Sequence, residues 1–254
     1  MVEQIVNTNN KKLSLITKLY AKQPTKVRLI CYDPYKKGAV YMDRWKTIKG
    51  NEILETRLPQ SPKKLMVRVI PESSNLKVLG FEAKSLPVYS VCLKRNSNIK
   101  AFVKFAQNFS ENLYYLPVGT YYSDNRKFRI DLFDVITDDE TGRKLRTPAR
   151  ISNQTGRIEV SKSHFMKMTI PMRMAILLHE FAHFYMNEKQ TDEVEADLNA
   201  LKIYLSLGYP YIEAHKSFIH TFRGNQTRQN KMRYEEIKKF VNDFEKKKYG
   251  MCLT

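Results

Sequence analysis

Between residues 169 and 207 the chain spells two successive helices that carry acids and imidazoles where an apolar core should be. In "TIPMRMAILLHEFAHFYM", Thr169 is placed to N-cap and Pro171 suits the first turn, so a helix over about 170–186 has a defined start. At 3.6 residues per turn His179 and His183 lie about 40° apart on one face, and Glu180 falls about 100° from His179. Ala175, Leu177, Leu178, Phe181, Ala182, Phe184 and Tyr185 occupy most of the remaining circumference. A helix buried on nearly every side has to satisfy two rings and a carboxylate internally. Two core histidines with ordinary hydrogen bonds are one solution. A metal ion held by ring nitrogens at i and i+4, with the intervening Glu beside it to take a proton from water, is the other.

The following helix, expected over about 191–207, separates these readings. Metzincin-type proteases place a Gly and a third His shortly after the first pair, but Met186 and Lys189 stand there. Four acids are close by, Glu188, Asp192, Glu193 and Glu195. On a helical wheel Glu193 and Asp197 fall within the arc of Ala196, Ala200, Leu201 and Tyr204, whereas Glu195 falls with Asn199, Lys202 and Ser206 on the solvated side. Two buried carboxylates without partners cost several kcal/mol. The reading that removes this cost takes His179, His183 and Glu193 as metal ligands, Asp197 as the acceptor that orients one histidine, and Glu180 as the base.

"HEFAH" (179–183) with "EVEAD" (193–197) resembles the H-E-x-x-H … E-x-x-A-D pattern of gluzincin metallopeptidases, including the HtpX and CAAX-processing proteases and the soluble ImmA/IrrE-like group. The resemblance covers about residues 150–210. It implies a zincin-like α+β fold, a Zn²⁺ cofactor on His179, His183 and Glu193, and Glu180 as general base or acid. The implied activity is endopeptidase hydrolysis of a protein or peptide substrate through a metal-bound water. It also implies an edge strand for extended substrate, placed here on "GRIEVS" (156–161). Tyr204, Tyr211, His215 and His220 are candidate partners for the developing oxyanion. Nine residues separate His183 from Glu193, a short connection, so "NEKQT" (187–191) must reverse the chain tightly.

The rest of the chain reads as a second body. After a possible helix over Lys12–Lys22, five segments alternate apolar with polar residues: 26–33, 38–48, 52–58, 64–70 and 77–83. Their spacing predicts a small antiparallel sandwich or barrel. The stretch from Leu86 to Asn98 is the expected boundary, giving a basic β-rich domain over 1–95 and the metallopeptidase domain over 96–254. That second half is expected to run helix (98–116), strand (127–136), hairpin (149–152 and 156–161), then four helices ending in a basic one over about 229–247. The fold class is therefore α+β.

Net charge is +18, and residues 1–95 carry 19 Lys/Arg against 7 Asp/Glu. Such a field favours a polyanion or an acidic protein surface, or simply a solvated basic face. Three cysteines without a Cys-x-x-Cys pair, an opening "MVEQIVNTNNKK" without a signal-type apolar run, and no bilayer-length apolar stretch point to a soluble cytoplasmic protein without a membrane partner. The Lys- and Asn-rich composition with a basic β-domain also resembles proteins of tailed phages. That resemblance implies an alternative: a virion component assembled with other subunits, its zinc bracing the fold. A third reading is a nucleic-acid-binding regulator whose protease domain cleaves a repressor, contacting phosphates through Lys/Arg of residues 26–95 or 215–248, the stretch 215–240 being basic with interleaved aromatics.

Overall fold

The computed structural model describes residues 1–86, 97–222 and 227–246, the side chains of 218–222 and 245–246 excepted. The chain is mixed α+β and divides into two compact units, Met1–Val88 with Gly208–Pro210, and Tyr89–Leu207 with Tyr211–Thr254. The expected boundary stretch lies largely outside the described residues, as do Cys92 and Cys252.

The first unit holds β1 (Val2–Asn7), β2 (Leu13–Tyr32), β3 (Val40–Leu58), β4 (Lys64–Pro71) and β5 (Leu76–Ser85), all in one antiparallel sheet. The helix expected over Lys12–Lys22 is instead the first half of β2. Its apolar residues fit both periods, since Leu13, Ile16 and Tyr20 recur at helical spacing and Leu13, Leu15, Leu19 and Ala21 at strand spacing. Pairing decides the matter: β5 flanks Leu13–Ala21 on one side and β3 on the other, and the second set goes into the core. β4 takes over from β5 along Val27–Tyr32.

The segments expected separately over 38–48 and 52–58 are one strand, β3, running through Gly50 at φ +69°. Opposite it the register shifts between Ala21 and Thr25, where Pro24 has no N–H to give a ladder. The apparent loop signals are thus a bulge in a long ribbon. Leu29, Cys31, Leu65, Val67 and Val69 line the inner face. Burial pushes the Cys31 thiol up to about 12, so it stays protonated.

The second unit begins with α1 (Ser97–Asn112) and continues through β6 (Gly119–Tyr122), β7 (Arg129–Phe133), β8 (Ala149–Ile151) and β9 (Ile158–Ser161). Its helices are α2 (Lys162–Phe165), α3 (Ile170–Tyr185), α4 (Glu193–Ser206), α5 (Tyr211–Phe222) and α6 (Arg228–Lys246). The sheet order is β6-β7-β9-β8, with β7 and β9 parallel and the other pairs antiparallel. α3 is the centre of the unit and is buried along almost its whole length. Phe181 stacks on Phe102 of α1 at 4.3 Å and on Tyr185 at 4.9 Å, with Phe128 edge-on at 5.8 Å. Buried Arg173 donates from Nε to Phe165 O (2.9 Å) and from a terminal nitrogen to Ser110 O (2.6 Å), tying α3 to the ends of α2 and α1. Among the described residues no helix is long and apolar enough to cross a membrane.

Candidate metal centre

α3 starts where its sequence dictates. The Thr169 hydroxyl accepts from Met172 N–H, Pro171 sits in the first turn, and the helix then carries both histidines to its last two turns. The reversal into α4 is pinned by two acids acting in opposite directions. Asp192 N-caps α4 by accepting from Glu195 N–H (3.0 Å), and the Glu195 carboxylate reaches back to Glu188 N–H (3.0 Å). Glu195 is therefore half-buried against the turn, where the helical wheel placed it in solvent. Glu193 becomes the first helical residue of α4, facing the histidine pair.

One ligand atom each from His179, His183 and Glu193 lies within 4.8 Å of the others, close enough to hold a metal ion. The two Nε2 atoms are 3.1 Å apart, and the Glu193 carboxylate oxygens stand 3.4 Å from His179 Nε2 and 3.6 Å from His183 Nε2. Behind the rings, His179 Nδ1 is 2.9 Å from Asp197 Oδ1, and His183 Nδ1 is 2.6 Å from the backbone carbonyl of Gln190. Carbonyls and carboxylates only accept, so both Nδ1 atoms carry hydrogen. Neutral rings then turn two Nε2 lone pairs toward each other and toward a carboxylate. Such a donor set calls for a cation at its centre, and this fits a divalent metal.

Without a metal, a proton is the available cation. Burial opposes charge on His179, but the Asp197 and Glu193 carboxylates overcome it and raise the imidazole to about 10. Burial and the neighbouring His179 charge lower His183, which stays neutral. Burial also works against ionised Glu193, yet His179, Arg233 and His183 hold it down to about 2. A metal must therefore displace one proton, that of His179, since the other two ligands are already deprotonated. Calorimetric zinc titrations at about pH 8 in buffers of different ionisation enthalpy should give between about one and two protons released per chain, one from His179 and the rest from water acidified by the bound zinc. Zero release at pH 8 would mean that His179 is already neutral.

The ligand face opens on a cavity of about 440 Å³ lined by Glu180, Ile176, Gln190, Thr191, Arg233 and residues of the β8 segment. Glu180 is 8% exposed; burial raises its carboxyl to about 7, the His179 charge pulling the other way. It accepts a hydrogen bond from Ile151 N–H.

The sheet edge beside the site is β8, whereas "GRIEVS" was expected there. β9 lies between β7 and β8 with all four residues buried. Pro148 C=O and Ser152 N–H bond to Ser161 and Arg157 across the hairpin, so the alternation of an antiparallel ladder turns the N–H and C=O of Ala149 and Ile151 outward.

Of the four candidate oxyanion partners, Tyr204, Tyr211 and His215 do not line the cavity. Tyr204 is 1% exposed in the core; eleven residues of helix rise set it about 16 Å along α4 from Glu193. Tyr211 is exposed at the start of α5, and His215 packs against Tyr234 with burial lowering its pKa. The His220 side chain lies outside the described residues.

Arg233, unforeseen in the sequence reading, does reach the site. From α6 it donates through Nε (2.7 Å) and a terminal nitrogen (3.0 Å) to both oxygens of Asp197, and its other terminal nitrogen stands 2.9 Å from Glu193 Oε2. A signal existed: Arg233 continues the stripe of Ile237 and Val241, the buried apolar residues of α6. A cation on a core stripe demands a buried anion, and α4 carries one in Asp197, with the half-buried Glu193 beside it.

No family model, curated protein or solved structure matches the chain.

Proposed function

We propose that the protein is a zinc-dependent peptidase that hydrolyses peptide bonds of a protein or peptide substrate, with His179, His183 and Glu193 as ligands and Glu180 as the base. The observation that carries this reading is the convergence of three deprotonatable ligands at the floor of a cavity whose next side chain is a buried carboxylate poised near neutrality. Zinc held there would supply Lewis-acid polarisation of a carbonyl and acidification of water. Glu180, ionised, takes the proton of the attacking water and passes it to the leaving amine. Ile151 N–H orients that carboxylate. The outward N–H and C=O of Ala149 and the outward C=O of Ile151 give an extended chain an edge to pair with, the Ile151 N–H being held by Glu180. Asp197 keeps the Nδ1 proton on His179 and so leaves Nε2 for the ion, as the Gln190 carbonyl does for His183. Arg233 offsets the charge of the two α4 carboxylates.

Mn²⁺, Fe²⁺ or Co²⁺ would be held by the same ligands, so the experiment measures the metal itself. Elemental analysis of the purified protein should give one zinc per chain, and Glu193→Ala should lose it while keeping its helical circular dichroism. A peptide library incubated with both should be cut by the wild type alone. Full zinc retention in Glu193→Ala would refute the ligand assignment. The virion-component reading, in which zinc only braces the fold, leaves Glu180 and the outward edge of β8 without a role.

A further inference from the structure

The core of the first unit uses one face of its sheet; the other face has a composition of its own. Residues Val27, Leu29, Cys31, Leu65, Val67 and Val69 point inward. By the alternation of strands, Lys26, Arg28, Ile30 and Tyr32 of β2 point outward. Register sets Trp45 of β3 opposite Arg28, Arg68 of β4 opposite Ile30, and Glu3 and Ile5 of β1 opposite Arg68 and Met66. Four adjacent strands, β3, β2, β4 and β1, thus present a single surface.

On that surface aromatic rings and cations alternate. Trp45 is 49% exposed, with Lys26 Nζ 5.0 Å and the Arg28 guanidinium 5.9 Å from its ring. Arg68 lies 5.3 Å from the Tyr32 ring, and Lys64 lies 5.8 Å from Tyr35, which is 71% exposed in the turn after β2. The acids on this face, Glu3, Asp43 and Glu72, pair with Arg68, Arg28 and Lys26; the Lys26–Glu72 contact is open to water and holds little free energy, whereas Asp43 holds Arg28 through two hydrogen bonds of 2.8 and 2.7 Å.

We infer that this face binds single-stranded nucleic acid, bases stacking on Trp45, Tyr32 and Tyr35 and phosphates meeting Lys26, Arg28, Lys64 and Arg68. Charge complementarity selects a polyanion over a neutral partner, since residues 1–86 carry 17 Lys/Arg against 7 Asp/Glu. The exposed rings of Trp45 and Tyr35, with half-buried Tyr32, select unpaired bases over a duplex, whose bases are already stacked, and over an acidic protein surface, which offers carboxylates but no π-faces. The inference is independent of the metal centre.

Trp45 is the sole tryptophan of the chain, so its fluorescence reports on this face alone. The full-length protein is titrated with oligouridylate and oligothymidylate of about 16 nucleotides, the upper end of single-site sizes, with duplex of the same length and with polyglutamate. Both single strands should quench Trp45 and bind more tightly than duplex or polyglutamate, with affinity falling steeply as salt rises. Fluorescence anisotropy of labelled oligomer should show a loss of about tenfold or more in Trp45→Ala and near-full retention in Trp45→Phe. Lys26→Gln with Lys64→Gln should reduce the salt slope by about two. These residues are exposed, and unchanged circular dichroism checks the fold of each variant. Equal binding of polyglutamate, indifference to Trp45→Ala, or a flat salt response would each overturn the inference.

Discussion

Glu180→Gln should retain its bound metal and lose hydrolysis by about 10²- to 10⁴-fold, the usual contribution of a positioned base. The amide keeps the size of the carboxylate and does not touch the ligand set, but it cannot accept the proton of water. The pH profile carries the sign. Glu180 must be ionised to act, so the wild-type rate rises with pH through its pKa, and that limb disappears in the variant. Burial raises the group to about 7 in the metal-free site. A bound dication favours the carboxylate, so the limb should fall below 7 in the loaded enzyme. Metal content measured on the same samples separates the base from a ligand. Glutamine retaining more than a tenth of the activity would remove Glu180 from the mechanism.

Arg233→Met should destabilise the metal-free protein by about 3 kcal/mol, the low end for breaking a buried pair and stranding its partner. Asp197 is 0% exposed and would keep only His179 as a charged neighbour; Glu193 is partly open to water and contributes less. Urea unfolding in chelator measures the loss. With saturating zinc the deficit should shrink, because the ion takes over part of the compensation of the same carboxylates. An unchanged midpoint in chelator would show that Arg233 is not what balances α4. Arg233→Lys should recover little, since a point charge cannot bond both oxygens of Asp197 and Glu193 together.

Arg233 also marks where sequence reading stopped. The wheel for residues 191–207 identified Asp197 as buried and in need of a partner, and it stands 2.9 Å from His179 Nδ1. The wheel had no means of naming a second partner 36 residues further on. Gln190 was invisible for a different reason: it contributes its main-chain carbonyl, which every residue possesses, and only the turn's path aims it at His183. Tyr204 shares the wheel angle of Glu193, but an angle ignores rise along the axis, and its other reading, a core residue, is the one its burial bears out.

The helix assigned to residues 12–22 and the break assigned at Gly50 failed on local ambiguity. A stretch whose apolar residues satisfy two periods is decided by its neighbours, here β3 and β5. A Pro or Gly within a long ribbon reads like a loop until its partner strand is known to bulge beside it. The edge strand was misplaced by one because strand order in a sheet is not written in chain order.

What the sequence determined by itself is local and periodic: the start of α3 at Thr169, the single face shared by His179 and His183, the inward direction of Glu193 and Asp197, and the α+β class. Each follows from the angle per residue and from the cost of burying charge, both properties of a short segment. Tertiary structure alone decided what meets across space: Arg233 against two acids, Gln190 behind His183, β8 rather than β9 at the open edge, and aromatics from separate strands on one basic face. Those contacts join residues distant in the chain, and only the packed arrangement of elements selects among the many partners each could have had.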